Sequence, residues 1–148
     1  MIITTNLNQA RKQIEQLKKA GKEIIVQAQD PEFNRAILEI PEVDVLVSPE
    51  LHNRKDKLKE RDSGLNEVLC KIAKKNNIKI GIDLEKIKSL PKKEKAQAIS
   101  RLQQNILLCK KTGCELTIFP QKKYAKQKIM EFLISLGSST QIAKKAAE

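Results

Sequence analysis

What most narrows the fold of this chain is a repeated switch in apolar period, from short continuous or alternating runs to stripes that recur every three or four residues. Runs of the first kind suit strands and stripes suit helices, so their alternation points to an α/β chain with parallel strands. Met1 to Thr5 reads as a first strand, and Leu7, Ala10, Ile14 and Leu17 mark one face of a helix that stops at Gly21. Glu23 to Gln29 is a second strand, followed at Asp30-Pro31 by a short helix carrying Phe33, Ala36 and Ile37 and ending at Ile40-Pro41. Asp44 to Ser48 is a third strand. His52 to Asp62 (HNRKDKLKERD) has one leucine and no apolar face, and reads as a loop. A helix from about Leu65 to Asn76, a fourth strand Ile78 to Asp83, a long helix entered at Pro91 and ended by Gly113, and a fifth strand Glu115 to Phe119 come next. Two last helices, about Lys122 to Leu136 and Thr140 to Ala147, are separated by Gly137-Ser138-Ser139. Five βα units suit an open doubly wound sheet or part of a (β/α)₈ barrel. The 148 residues, with no Gly/Ser-rich linker or tandem repeat, read as one domain spanning 1–148.

Charge narrows the function. Lys and Arg number 29 against 18 Asp and Glu, a net +11, which calls for a polyanionic partner with nucleic acid as the first candidate. Aromatic residues are only 3% of the chain, so stacking of bases on an aromatic platform is disfavoured and contacts to phosphate and RNA shape are expected. No apolar stretch is long enough to cross a bilayer and the N-terminus lacks a secretory pattern, so a cytoplasmic protein without membrane contact is expected. Cys70, Cys109 and Cys114 form no C-x-x-C pair and have one histidine in the chain to join them, which argues for packed reduced thiols and against a structural zinc.

In parallel α/β folds, functional side chains gather at the carboxyl ends of the strands. Here those ends lead into Asp30, Asn34 and Arg35; into Ser48, the basic loop and Arg61-Asp62-Ser63-Gly64; into Asp83; and into Pro120-Gln121-Lys122-Lys123. An enzyme would use Asp30, Asp62 and Asp83 as metal ligands or as general acid and base. Transition-metal hydrolases usually supply several histidines, however, and this chain has only His52, expected to be a solvated loop residue. Asp62 before Ser63-Gly64 has a plain reading as an N-cap turn. Neither G-x-G-x-x-G nor G-x-x-x-x-G-K-[ST] occurs, which removes support for a nucleotide-dependent enzyme. The positive signal is the run Arg54, Lys55, Lys57, Lys59 and Arg61, joined by Lys92-Lys93 and Lys95 and by Lys122-Lys123, Lys126 and Lys128 near predicted helix starts.

Asp30-x-x-x-Asn34-Arg35-Ala36, Val43-Asp44-Val45-Leu46, Arg61-Asp62-Ser63-Gly64-Leu65-Asn66-x-Val68-Leu69, Ile80-Gly81-Ile82-Asp83 and Arg101-x-x-x-Asn105-x-x-x-Cys109 together resemble, in order and spacing, the archaeal ribonuclease P protein component 3 family, related to the thirty-kilodalton human subunit. The resemblance covers roughly residues 22 to 119 and, more loosely, the tail. It implies a TIM-barrel-like fold, association with ribonuclease P RNA and precursor tRNA, pairing with ribonuclease P protein component 2 and other ribonuclease P proteins, and a part in removing 5′ leaders. In such an enzyme the RNA and its magnesium ions do the hydrolysis. The protein is then expected to bind no cofactor itself, to have no catalytic residues, and to lower the RNA's need for magnesium and salt. On this reading Arg61, Arg35, Arg54, Lys55, Lys57, Lys59 and Arg101 contact RNA, while Asp30, Asn34, Asp62, Ser63, Gly64 and Asn66 position the loops beneath them. The chain is short for the family, so the expected barrel is incomplete or reduced. It also lacks an arginine-containing serine- and alanine-rich motif after the fifth strand. Two other readings remain: a small barrel-type metal-dependent phosphoesterase using Asp30, Asp62 and Asp83, and a generic basic RNA-binding module.

Overall fold

A computed structural model describes residues 1–120 and 123–148. Its centre is a parallel sheet of four strands, β1 (Ile25–Gln27), β2 (Val45–Val47), β3 (Lys79–Asp83) and β4 (Leu116–Phe119), lying side by side in chain order. Neighbouring parallel strands require crossovers, and helices supply them: α1 (Leu7–Lys19) precedes β1, α2 (Pro31–Leu38) joins β1 to β2, and α3 (Glu67–Lys75) joins β2 to β3. The short α4 (Leu84–Ser89) and long α5 (Lys92–Thr112) join β3 to β4, and α6 (Lys126–Ser135) and α7 (Thr140–Ala147) follow. This is the parallel βα repeat of a TIM-barrel-like fold, present as an open four-stranded arc among the described residues.

Register explains why the strands read as apolar on both faces. Val26, Leu46, Ile80 and Leu116 form one row across the sheet and join the helices' apolar stripes in the main core. The next row, Gln27, Val47, Gly81 and Thr117, faces the other way and is also buried. A Cβ at Gly81 would come within 2.8 Å of Val47 Cγ2 and 2.9 Å of Val45 Cγ1, so β3 lies against these two side chains of β2 only because this position carries none. The three cysteines are buried and none forms a disulfide.

Three elements differ from the sequence expectation. The predicted first strand is reduced to a single parallel bridge, Ile2 with Val26, because Thr4 Oγ1 accepts from Asn6 N–H and Asn6 caps α1, turning the chain away at once. The short helix α4 was not expected; Asp83 ends β3 and also caps α4, accepting from Lys86 N–H at 3.1 Å, with Leu84 and Ile87 buried. The helix predicted from Lys122 begins at Lys126, and Gln121 and Lys122 lie outside the described residues. Among those described, no helix is long and apolar enough to cross a membrane.

Candidate nucleic-acid interface

The segment from Ser48 to Asn66 has neither helix nor strand, yet side chains hold it in one shape. Asp56, the one aspartate within the run of cations, is its hub. Asp56 Oδ1 accepts from Asp62 N–H at 2.8 Å and from Arg101 Nε at 3.1 Å, while Oδ2 accepts from Gln97 at 3.3 Å. The Asp62 N–H, with Gln97 and Arg101, holds the Asp56 carboxyl below the usual range.

Arg101 of α5 is only 3% exposed. Beyond Asp56, its guanidinium donates to the carbonyls of Glu50 (3.4 Å), His52 (3.2 Å) and Arg54 (2.8 Å). Expected as an RNA contact, Arg101 is instead the clamp of the loop, with each guanidinium nitrogen directed inward. Asn105, one turn further on, donates to Ser63 O at 3.0 Å. His52 also departs from expectation. Its side chain is 7% exposed, Nδ1 accepts from Arg54 N–H at 3.1 Å, and Nε2 lies 2.5 Å from Asp62 O, so the proton sits on Nε2. Burial and the neighbouring arginines lower its pKa, leaving a neutral staple across the loop.

Each residue expected to position a loop makes a specific bond. Asp30 caps α2 through Phe33 N–H at 2.7 Å. Buried Asn34 pairs with both backbone groups of Gln29, at 2.7 and 3.2 Å. Asp62 is not the helix cap: it accepts from Gly64 N–H at 3.1 Å and from Arg54 Nε at 3.0 Å, and Asn66 caps α3 through Leu69 N–H at 2.8 Å. Burial opposes ionisation of Asp62, but Arg54 and the Gly64 N–H outweigh it and its pKa falls. Ser63 Oγ donates to Leu65 O at 3.3 Å. Gly64 has φ +81°, and a Cβ there would lie 1.9 Å from Pro49 O.

With the loop fixed, its cations divide. Lys55, Lys57, Lys59 and Arg61 are exposed. Arg54 is half-buried on Asp62, and Arg35 is exposed on α2, paired with Glu39 at 3.2 Å. Lys57 and Arg61 stand on a ridge between two concavities, one of about 920 Å³ toward α5 and the end of α6, the other of about 500 Å³ toward the starts of α2 and α3.

The three aspartates of the enzyme reading do not form a site. Asp30 and Asp83 cap separate helices and Asp62 is bonded within the loop, and no three His, Cys, Asp or Glu side chains among the described residues are placed to hold a metal ion. What sequence reasoning missed at the strand ends is Glu50. It is 1% exposed, neither carboxylate oxygen has a hydrogen-bond partner among the described residues, and burial, with the nearby charge of Asp83, pushes its carboxyl up to about 7.

No family model matches the chain. Ribonuclease P protein component 3 of Methanococcus vannielii is 29% identical over 117 residues, 79% of this chain and 48% of that protein. The component 3 of Methanosarcina acetivorans is 34% identical over 95 residues, 64% of this chain and 36% of that protein. The chain thus spans about half the length, or less, of these relatives. A chain in a cryo-EM structure of archaeal ribonuclease P with mature tRNA matches 97% of this chain and 61% of its own length, with TM-score 0.78 at 24% identity. A prolidase complexed with N-methylphosphonate-L-proline matches 97% of this chain and 34% of its own, with TM-score 0.60 at 9% identity, and shares the fold alone. Over four-fifths of its length, this chain is similar in sequence to ribonuclease P protein component 3.

Proposed function

We propose that the chain is a non-catalytic protein subunit of ribonuclease P, binding and stabilising the catalytic RNA during removal of 5′ leaders from precursor tRNA. The observation that carries this reading is the similarity to component 3 proteins across the segment that builds the clamped basic loop. The loop suits the role physically. Its lysines and Arg61 are exposed, while the aspartates within it, which would repel phosphate, are occupied by Arg54, Arg101 and backbone N–H groups. On this reading Arg61, Lys55, Lys57 and Lys59 contact RNA, with Arg35 and Arg54 at the margin. Magnesium enters through the RNA and the protein binds no cofactor. Ribonuclease P protein component 2 and the other protein subunits are its partners, in the cytoplasm.

The test is reconstitution of ribonuclease P RNA with component 2, with and without this chain, at limiting magnesium. Cleavage of precursor tRNA is expected to rise with the chain and to rise less with Arg61→Ala. No gain from a folded chain would overturn the reading, and hydrolysis of phosphoesters by the protein alone with a divalent metal would replace it.

A further inference from the structure

The larger of the two concavities has unlike walls. One wall is the loop, with Lys57, Leu58, Lys59 and Arg61; the other is Gln103, Gln104 and Leu107 of α5, closed by Leu136 and Gly137 beyond α6. Among the described residues, the second wall carries no lysine or arginine. An RNA duplex carries phosphates along both edges and turns its bases inward, so seating one here would set half its phosphates against a wall with no cation. An unpaired strand has one charged edge and one base edge, as the groove does.

The uncharged wall offers what a base edge and a base face need. Each glutamine amide has two donors and an acceptor that can meet a base edge, and among the described residues no side-chain hydrogen bond engages Gln103 or Gln104. Leu58 is 105% exposed and Leu107 56%, an exposure of large apolar side chains at the groove that a base face can cover. Glu60 on the loop wall opposes phosphate, but three cations accompany it, and Asp56 is already neutralised by Arg101. The smaller concavity shares Lys57, Glu60, Arg61 and Gln104 with the larger, so a strand can continue from one to the other over Gln104.

We infer that this groove binds an unpaired RNA strand, its phosphates along Lys57, Lys59 and Arg61 and its bases against Gln103, Gln104 and Leu107. The inference rests on the RNA-binding reading above and narrows it to single-stranded RNA at a defined place.

Fluorescence anisotropy with the full chain tests it, using a short unstructured oligoribonucleotide and a hairpin duplex of equal phosphate count at the same salt. The single strand is expected to bind about tenfold more tightly. Gln103→Ala with Leu107→Ala should weaken the single strand several-fold and leave the duplex nearly unchanged, while Lys57→Ala with Lys59→Ala should weaken both. Circular dichroism of each variant checks that it folds. Equal or tighter duplex binding, or no effect of the α5 variants, overturns the groove assignment while leaving RNA binding intact. Displacement of the oligonucleotide by polyglutamate at equal charge overturns it in favour of an acidic protein partner. Absence of binding to either RNA removes the parent reading with it.

Discussion

Arg101 and Glu50 are neighbours in the structure and opposites in how their burial is compensated. The Arg101 guanidinium bonds to three carbonyls and a carboxylate, so removing it strands several polar groups at once. Arg101→Met is expected to cost on the order of 3–5 kcal/mol in urea unfolding, and Arg101→Lys to recover little of it, because an ammonium cannot reproduce the fork. Exposed Arg61→Ala should stay within about 0.5 kcal/mol of the parent chain. Glu50 is buried without a bond to either oxygen among the described residues, and the folded state raises its carboxyl from the ordinary 4.5 to about 7. The folded chain therefore holds this proton to higher pH than the unfolded chain does. The stability so contributed is complete below pH 4.5, declines between the two values and is gone above about 7, a span worth roughly 3 kcal/mol. Glu50→Gln should flatten that slope and leave the variant the more stable protein in mildly alkaline buffer; equal slopes in melts across this range would refute the account. Neither role was visible residue by residue. Arg101 and Asn105 did carry a signal, since they fall on the same buried face of α5 as Ala98, Leu102 and Cys109, where a polar side chain needs a partner.

At the scale of elements, much was legible because local rules agree with tertiary packing. Asp30-Pro31 opens α2, and Gly113 in the left-handed region at φ +79° ends α5, as side-chain chemistry alone requires. The helix α4 was missed because six residues are too few to show a period, and its cap, Asp83, also belongs to β3. Assigning Asp62 as a helix cap failed because aspartate serves a cap and a tight turn equally well, and only the position of α3 separates them. Glycines give a direct test of this element. Gly64→Ala should lower stability by on the order of 2–4 kcal/mol, since φ is +81° and Pro49 O occupies the space a methyl needs. Gly21→Ala, at φ +65° with no described residue crowding the new methyl within 4 Å, should cost only about 1 kcal/mol. Thermal melts of both decide it; equal losses would mean that the contact between Gly64 and Pro49 is not what fixes the loop.

For the whole molecule, a net charge of +11 was the plainest functional sign, yet charge alone could not tell which cations are available. That depended on contacts between residues some forty positions apart, which took Arg101 out of the exposed set and left Arg61 in it. RNA affinity should fall with salt, and removing Lys57 and Lys59 together should reduce the slope of log affinity against log salt for a single strand by about 1.4. An unchanged slope would place the phosphates elsewhere. The clamp has one further effect, on timing. Since Arg101 and Asp56 set the loop's shape when the chain folds, its conformational entropy is already lost before the RNA of the proposed function would arrive. Encounter is then governed by diffusion and charge, so association should be fast and strongly slowed by salt, with no lag for rearrangement, and an Arg101 variant should reveal itself first in the on-rate.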